Sequence, residues 1–359
     1  MKNKNEKLPI DLLAAMTEPL SVWYEQNRKS LPWREDNDAY HVWLSEIMLQ
    51  QTRTTAVIPY YLRFLEAYPT VEHLAATDDE VLMKLWEGLG YYSRARNLKA
   101  AAIRIRDDHG GKLPADYRAL LALPGIGEYT AGAVASISFG LPEPAVDGNV
   151  LRVVMRLCAC DWDIAASDTK KKVTEALRQV YPEGDKAGVL TQAIMELGEN
   201  VCIPNGRPRC IDCPLAGICR GLTENLVDSL PRKSPKKARR IEKKTVFLIQ
   251  CDGRFAIRQR PAHGLLAGLW EFPTLEGHLS EEQVRSWLQE NGMTPTAIAS
   301  CGTATHIFTH KEWHMIGYRV SLTDFPDLYT ASTPSQLLDQ YAIPKAFEAF
   351  RALCTSSVG

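Results

Sequence analysis

The sequence predicts a mostly α-helical domain followed by a smaller mixed α/β domain. Its 359 residues are enough for two domains. Residues 8 to about 228 carry apolar residues at helical spacing, whereas short apolar runs and turns follow Leu230. Between these regions lies a stretch rich in lysine, arginine and proline, which is typical of an exposed linker. We therefore expect domains at 1–228 and 244–359, joined by a basic linker at 229–243.

The composition is that of an ordinary globular protein, with 45% hydrophobic and 24% charged residues. No apolar segment follows the charged amino terminus, so no signal peptide is predicted. The most apolar stretch, around residues 131–141, is too short to span a membrane. We therefore expect a cytoplasmic protein without a membrane partner.

The charge is distributed unevenly, although the net charge is only −1. Between Arg232 and Lys244 there are eight lysine or arginine residues and one acid. A solvated linker is the plainer explanation of this run. The alternative is that its side chains neutralise phosphates locally while acids elsewhere cancel the total charge.

Helical patterns recur along the first domain, and glycine and proline occupy most of the gaps between them. These patterns cover His41–Thr52, Ile58–Ala67, Asp79–Leu85, Arg94–Asp107, Tyr117–Leu121, Glu128–Phe139, Asn149–Leu157 and Thr169–Val180.

The second domain begins with a predicted β-hairpin. Two short apolar runs, at 245–250 and 254–258, flank an Asp252-Gly253 turn. Strand-like sequence returns at Glu312–Leu322, and the tail at Pro344–Leu353 has a helical pattern. This order of elements predicts a small mixed sheet with a carboxyl-terminal helix.

Four cysteines are concentrated within eighteen residues, with the spacing C-x7-C-x2-C-x5-C. They are Cys202, Cys210, Cys213 and Cys219. Disulfides are not favoured, because the other five cysteines are scattered and the total is odd. Four thiolates in one compact loop predict a bound metal ion or an iron–sulfur cluster.

A glycine-containing turn, Leu123-Pro-Gly125-Ile-Gly127, lies between two helical patterns. Glycine permits a tight turn with positive φ and close approach of the backbone to a ligand. The helix that begins near Glu128 would direct free N–H groups at an anion ahead of it. A plain turn between helices is the alternative explanation.

Two carboxylates stand out, one as a candidate catalytic group and one as a candidate helix cap. Glu46 shares a helical face with Val42, Trp43 and Leu49, and burial there would raise its pKa toward that of a general acid. A carboxylate that only reaches a backbone donor or an arginine is the alternative. Asp147 precedes a helical pattern, so it is a candidate helix cap.

The hairpin string and the cysteine spacing resemble those of the endonuclease III superfamily of DNA glycosylases, and within it the adenine DNA glycosylase (MutY) family. Five further strings carry the resemblance: Leu31-Pro-Trp-Arg34, Ser45-Glu-Ile-Met-Leu-Gln-Gln-Thr52, Gly88-Leu-Gly-Tyr-Tyr-Ser-Arg94, Val146-Asp-Gly-Asn-Val150 and Glu196-Leu-Gly198. The resemblance covers almost the whole chain. The family has six residues between its first two cluster cysteines, and this chain has seven, with the extra residue in a segment that can loop out.

The resemblance implies a helix-hairpin-helix domain and a [4Fe–4S] cluster bound by the four cysteines, with a monovalent or calcium ion expected at the hairpin. It implies a protein that removes adenine opposite 8-oxoguanine or guanine from double-stranded DNA. This protein is expected to be a monomer in the cytoplasm, associated with a nucleoid of the bacterial type. Glu46 would protonate the base, Asp147 would stabilise the sugar cation, and Tyr129 and Asn149 would organise the site. The residues implied next to the adenine are Trp33, Arg34 and Gln192. The residues implied to contact DNA are Leu49, Gln51, Tyr91, Gly125 and Gly127.

Tyr129 separates this prediction from its nearest rival, a bifunctional endonuclease III-like glycosylase that acts on oxidised pyrimidines. In the members of the superfamily that also cut the strand, a lysine stands at this position. A lysine amine forms a Schiff base with the sugar, which a tyrosine cannot do. A DNA-binding or redox iron–sulfur protein without catalytic activity is a third hypothesis, which the presence of Glu46 and Asp147 disfavours.

The second domain resembles a Nudix domain through Leu266-Ala-Gly-Leu-Trp-Glu-Phe-Pro273. The acidic run that binds Mg²⁺ for pyrophosphate hydrolysis is not recognisable downstream, so recognition is expected in place of hydrolysis. The resemblance implies a loop that senses 8-oxoguanine and comprises His306, Phe308, Thr309 and His310. Thr309 stands where the family has serine. An ordinary strand end with a surface histidine is the alternative.

Overall fold

The computed structural model describes residues 7–235 and 238–355. Lys236 and Lys237 of the predicted linker lie outside the described residues. The chain divides into two compact units. One unit comprises residues up to Ala76 together with Arg96–Pro235, and the other comprises Thr77–Ala95 together with the residues that follow Pro235.

The first unit is helical, which confirms the predicted fold class. The α-helices of residues 7–235 are α1 (Ile10–Ala15), α2 (Thr17–Asn27), α3 (Ala39–Leu49), α4 (Thr54–Ala67), α5 (Val71–Ala76), α6 (Asp79–Leu85), α7 (Ser93–His109), α8 (Tyr117–Leu121), α9 (Glu128–Phe139), α10 (Gly148–Leu157), α11 (Ser167–Arg178), α12 (Asp185–Asn200) and α13 (Arg220–Thr223). Of these, α6 and the start of α7 belong to the second unit. Short 3-10 helices span Pro32–Arg34, Cys210–Asp212 and Ala216–Ile218. Within the described part of the chain, no helix combines the length and the apolar character that a bilayer crossing requires.

Local sequence explains where the helices that form the site begin and end. The carboxylate of Asp38 accepts hydrogen bonds from the Tyr40 and His41 amides and so starts α3. Helix α9 begins after Gly127 and ends at Gly140, whose φ of 63° is left-handed. It packs against α3, α8 and α12, so it lies in contact with several neighbouring helices of this unit.

The second unit contains a mixed sheet whose strands follow the order β3-β2-β1-β6-β5, with β4 paired to β1 and β7 paired to β2. The strands are β1 (Arg240–Cys251), β2 (Arg254–Gln259), β3 (Trp270–Glu271), β4 (Thr274–Glu276), β5 (Pro295–Ile307), β6 (Lys311–Leu322) and β7 (Thr330–Ser332). Its other helices are α14 (Glu281–Glu290), α15 (Pro334–Asp339) and α16 (Glu348–Thr355), with a 3-10 helix at Lys345–Phe347. Strand β1 pairs in parallel with β6, and β5 and β6 form an antiparallel hairpin.

Strand β1 contributes buried apolar side chains to both faces of this sheet. Val246 and Leu248 join a cluster that includes Phe350 of α16, whereas Phe247 and Ile249 join a cluster that includes Leu288 of α14. Alternate residues of a strand point to opposite faces, so four consecutive apolar residues bury both sides. The sheet therefore lies between helices, which confirms the predicted α/β second domain.

Three features differ from the sequence-based expectations. Strand β1 begins at Arg240, so the last residues of the predicted linker are strand, because they pair with Lys311 and the residues after it. Strand β5 is absent from the sequence-based assignment, because its small and polar residues show no clean alternation. Residues 77–95 group with the second unit, a result of tertiary contacts that helical periodicity does not report. The predicted hairpin is confirmed, with positive φ at both Asp252 and Gly253.

Replacing Gly125 by alanine is expected to lower the free energy of unfolding by about 1–3 kcal/mol, because φ is +74° and the new Cβ would lie 2.5 Å from the Asn97 Cβ. Gly127→Ala is the matched control in the same turn. Its φ is −93° and no heavy atom lies within 4 Å of the added carbon, so the loss should stay below about 1 kcal/mol. Urea denaturation of both variants measures the difference, and equal losses would contradict the assigned turn geometry.

Candidate active site

A cavity of about 620 Å³ lies in the helical unit and is lined by all four predicted catalytic residues. Its walls come from α3, α9, α10, α12 and the 3-10 turn that follows α2. The predicted site residues that line it are Trp33, Arg34, Glu46, Leu49, Tyr129, Asp147, Asn149 and Gln192. Residues distant in sequence therefore converge on one pocket large enough for a small organic group.

Glu46 is a buried carboxyl group with a short hydrogen bond to a tyrosine. It is 8% exposed, and the Tyr129 hydroxyl donates to its Oε2 at 2.6 Å. Burial, and to a smaller extent the nearby Asp147, raise the pKa of Glu46, whereas the Tyr129 hydrogen bond and Arg34 oppose the shift. The net result is a pKa of about 7. The group is thus poised to hold or release a proton near neutral pH.

Asp147 occupies a different environment in the same cavity. Its Oδ1 accepts from the backbone amides of Asn149 and Val150 at 2.8 Å each, and its Oδ2 accepts from the Asn149 side chain at 2.8 Å. Burial raises the pKa of Asp147, while these N–H donors and the positive charge of Arg152 act against the rise. Asp147 therefore caps α10, as one of the two sequence-based explanations predicts, and it also lines the cavity. Its catalytic role stays a prediction.

Arg152 fixes the orientation of Asn149, and sequence reasoning missed it. Its Nη2 donates to the Asn149 Oδ1 at 2.8 Å, which turns the amide nitrogen of Asn149 toward Asp147. The same guanidinium donates to the carbonyls of Gly198 and Cys202 at 2.8 and 2.7 Å. The only sequence feature that marks Arg152 is its position among the apolar residues of α10.

Glu196 is a second residue that sequence reasoning did not assign. Its side chain is 1% exposed and pairs with Arg34 at 2.6 Å, and it also accepts from the Lys29 backbone amide at 3.0 Å. This pair positions Arg34 against the cavity. Its position within the apolar residues of α12, as with Glu46 in α3, is the signal that would have found it.

Gln192 and Trp33 complete the predicted binding residues of the cavity. The Tyr24 hydroxyl donates to the Gln192 Oε1 at 3.0 Å, so the amide is oriented from behind. The Trp33 ring packs edge-on against Tyr61 with 5.4 Å between the ring centroids. Both side chains are therefore held by neighbours and still line the pocket.

Two of the predicted DNA-contacting residues outside the pocket have left-handed backbone. Gln51 follows α3 with a φ of 57°, and Tyr91 has a φ of 47° and is 45% exposed. Left-handed backbone is uncommon for residues other than glycine and concentrates at functional positions. Tyr91 belongs to the second unit, whereas Gln51, Gly125 and Gly127 belong to the first.

The four predicted metal-ligating cysteines carry free thiols and line a single small cavity of about 30 Å³ in the helical unit. Among the described residues, no group of three or more His, Cys, Asp or Glu side chains could hold a metal ion. The four side chains are nevertheless of the residue type that binds iron–sulfur clusters. Arg156 donates to the Cys202 sulfur at 3.3 Å. Burial raises the pKa of Cys213 to about 12, so its thiol is neutral at neutral pH in the absence of a bound cation.

The predicted reading loop forms the turn between β5 and β6. The Phe308 amide donates to the Lys311 carbonyl at 2.8 Å, and the Phe308 ring lies 4.9 Å from that of Trp313. Thr309 and His310 are exposed at the tip, and burial lowers the pKa of the half-buried His306. The loop therefore exposes the Thr309 hydroxyl next to the packed rings of Phe308 and Trp313.

Comparison with known proteins gives matches over both units. Residues 44–183 match the HhH-GPD superfamily of base excision DNA repair proteins, and residues 245–353 match the NUDIX domain. The chain is 35% identical to the adenine DNA glycosylase of Homo sapiens over 81% of this chain and 64% of that protein. It is 33% identical to the adenine DNA glycosylase of Buchnera aphidicola (strain Sg), over 84% of this chain and 86% of that protein. A trapped covalent complex of endonuclease III with DNA matches with a TM-score of 0.52 and 25% identity, over 61% of this chain and 99% of that one.

The raised pKa of Glu46 predicts a stability cost that grows with pH. A carboxyl group whose pKa rises from 4.5 to about 7 on folding costs nothing while both states are protonated, and its cost is complete above pH 7. Glu46→Gln should therefore raise the free energy of unfolding by on the order of 3 kcal/mol at pH 8 and by little at pH 4. Urea denaturation at the two pH values measures this gain. The exposed Glu25→Gln is the control, and a Glu46→Gln gain that is equal at both pH values would contradict the assignment.

Proposed function

Because the chain belongs to the family of adenine DNA glycosylases, we propose that it hydrolyses the N-glycosidic bond of adenine opposite 8-oxoguanine or guanine in duplex DNA. The product is an abasic site for base excision repair. The observation that carries the proposal is the buried Glu46 carboxyl group, hydrogen-bonded to Tyr129 in the same cavity as Asp147. The chain spans 64% of the length of the human relative, so its activity is inferred from its own residues as well as from kinship.

Glu46 acts as the general acid in this proposal. The adenine leaves the base stack and enters the cavity, as enzymes that act on a base require. With a pKa of about 7, Glu46 keeps its proton often enough at neutral pH to transfer it to N7 of the purine. The protonated base is the better leaving group, and it departs with both electrons of the glycosidic bond.

Asp147 stabilises the sugar cation that remains. Its N–H donors from Asn149 and Val150 favour the charged carboxylate, which a positive oxocarbenium-like centre needs. Water then adds to the anomeric carbon and loses a proton to solvent, which completes hydrolysis. The two carboxyl groups thus divide the work, because one environment favours the proton and the other supplies donors to the anion.

Tyr129 makes the enzyme monofunctional in this proposal, because a phenol does not form a Schiff base with the sugar. Lys29 also lines the cavity, and its ammonium lies 3.3 Å from the Glu199 carboxylate. A borohydride-trapping experiment with Lys29→Ala as the control separates the alternatives. A covalent protein–DNA complex trapped in high yield would favour the hypothesis of a bifunctional endonuclease III-like glycosylase.

Cys202, Cys210, Cys213 and Cys219 bind a [4Fe–4S] cluster in this proposal. Their free thiols around one cavity support it. The bound cluster would supply a cross-link that orders the loop, and a reducing cytoplasm would keep its thiolates available. The cation at the hairpin and the monomeric state stay predictions.

The second domain reads the base opposite the adenine in this proposal, through the β5–β6 turn. The exposed Thr309 hydroxyl is both a donor and an acceptor, so it suits the polar edge of a purine. Retention of a Nudix fold without recognisable acidic metal ligands supports recognition in place of hydrolysis.

Single-turnover excision of adenine opposite 8-oxoguanine, guanine and thymine, with and without alkali, tests the proposed reaction. Strand breaks should appear only after alkali. Glu46→Gln should reduce the rate at least about 100-fold, and the wild-type rate should fall as pH rises above about 7, because the acid must be protonated. Glu25→Gln is the control, and a wild-type rate for Glu46→Gln would refute the role of Glu46.

Cys213→Ser should reduce the iron and acid-labile sulfide of the purified protein, because a serine is a poor ligand for a thiolate cluster. Cys251→Ser is the control, since its thiol hydrogen-bonds the Thr323 carbonyl in the second domain. Equal iron and sulfide in both variants would contradict the ligand assignment.

A further inference from the structure

Arg34 and Gln192, two of the predicted adenine-binding residues, both contact the same buried tyrosine. Tyr24 lies in α2, is 2% exposed and is not among the residues that line the cavity. Its hydroxyl donates to the Gln192 Oε1 at 3.0 Å, and its ring centroid lies 5.5 Å from the guanidinium carbon of Arg34. Tyr24 therefore supports, from outside the cavity, two side chains that line it.

Two contacts define which way round the side-chain amide of Gln192 lies. The Tyr24 hydroxyl donates to its oxygen, and its Nε2 donates to the Gly188 carbonyl one turn earlier in α12, at 3.4 Å. Exchanging the oxygen and nitrogen of the amide would bring two acceptor oxygens together at Gly188, so both contacts require the same orientation. The amide nitrogen carries a second proton, which has no acceptor among the described residues.

The Tyr24 hydroxyl is a permanent donor at neutral pH. Burial raises the pKa of Tyr24, Arg34 opposes the rise and Glu196 adds to it. The phenol therefore keeps its proton and engages the acceptor end of the Gln192 amide. The donor end of that amide remains for a ligand in the cavity, because Gln192 lines the cavity wall.

The ring of Tyr24 contacts Arg34 independently of the hydroxyl. The Arg34 Nη1 donates to the Glu196 Oε2 at 2.6 Å and to the Lys29 carbonyl at 3.2 Å, while the guanidinium lies over the Tyr24 ring. A cation over an aromatic ring is attracted by its π face. Tyr24 therefore offers two separable contacts, its hydroxyl to Gln192 and its ring to Arg34.

We propose that Tyr24 is a positioning residue that sets the base specificity of the cavity: its hydroxyl holds Gln192 with an N–H available to the base, and its ring holds Arg34. The inference rests on the proposed function, in which Glu46 protonates N7. N1 lies at the end of a purine opposite the glycosidic nitrogen, so it enters the cavity furthest and is the acceptor for Gln192. N1 of adenine accepts a hydrogen bond, whereas N1 of guanine carries a hydrogen. A fixed donor therefore favours adenine as the excised base.

Tyr24→Phe tests the hydroxyl, because it keeps the ring. Single-turnover excision is measured on duplexes with adenine, 1-deazaadenine or 3-deazaadenine opposite 8-oxoguanine. Each ratio of variant to wild-type rate is taken on one substrate, so that differences in the intrinsic lability of the glycosidic bond cancel. The rates on adenine and 3-deazaadenine should fall by about three- to tenfold, the range of one ordinary hydrogen bond. The rate on 1-deazaadenine, which has a C–H at position 1, should change by less than about twofold, because no hydrogen bond is left to lose.

Tyr181→Phe is the matched control. Tyr181 is 8% exposed, and its hydroxyl lies 2.7 Å from the Oγ1 of Thr191, the residue before Gln192 in α12. The control thus removes a buried hydroxyl that contacts the same helix, and any loss of rate should be equal on the three substrates. Gln192→Leu should reproduce the pattern of Tyr24→Phe, and adding Tyr24→Phe to it should cause no further loss on adenine.

Tyr24→Leu tests the ring, because it removes the aromatic face under Arg34 as well as the hydroxyl. It should excise all three bases more slowly than Tyr24→Phe does, including 1-deazaadenine. Equal rates of the two variants on 1-deazaadenine would refute the contribution of the ring. Urea denaturation of every variant identifies one that is merely unstable.

The outcomes separate this inference from the proposed function. Absence of adenine excision by the wild-type protein would overturn the function itself. Normal wild-type excision together with an unchanged rate for Tyr24→Phe on adenine, or with equal losses on all three substrates, would overturn only the role of Tyr24. Losses that multiply when Tyr24→Phe is added to Gln192→Leu would overturn it as well. A loss that spares 3-deazaadenine in place of 1-deazaadenine would contradict the assignment of N1.

Discussion

The hydrogen bond between Tyr129 and Glu46 is the contact on which the rest of the site depends. It requires the first turn of α9 to lie directly against the middle of α3. Gly132 in α9 permits a similar close approach on another side, because a Cβ there would lie 2.5 Å from the Pro144 carbonyl oxygen. The chain that follows Pro144 leads directly to Asp147. One helix with a small residue at the right place therefore brings both carboxyl groups into one cavity.

The two carboxyl groups line the same cavity, but burial and hydrogen bonding affect their pKa values differently. Glu46 receives one donor in an apolar helix, and burial dominates its pKa. Asp147 is partly buried, and it receives two backbone donors and one side-chain donor from the start of α10. Arg152 then secures Asn149 and reaches the carbonyl of Cys202. Helix α10 thus connects the cavity with the loop of the four cysteines.

Sequence reasoning identified the parts of the site that break a local rule. Glu46 was identifiable because a carboxylate on an apolar helical face is costly, and Asp147 because it precedes a helix in a recognisable string. Glu196 breaks the same rule, but no helix is predicted for the segment of α12, so the rule is not applied there. Strand β5 and the membership of residues 77–95 in the second unit depend on tertiary contacts. No periodicity within a single segment reports such contacts.

The left-handed backbone at Gln51 and Tyr91 restricts what evolution can place at these two positions. Glycine, asparagine and aspartate tolerate this conformation, whereas valine, isoleucine and threonine strongly resist it. A change of side-chain chemistry here is therefore filtered by backbone geometry before any contact with a ligand is made. Each poorly tolerated residue here would cost about 1–2 kcal/mol of folding free energy, so accepted substitutions should favour residues that tolerate left-handed backbone.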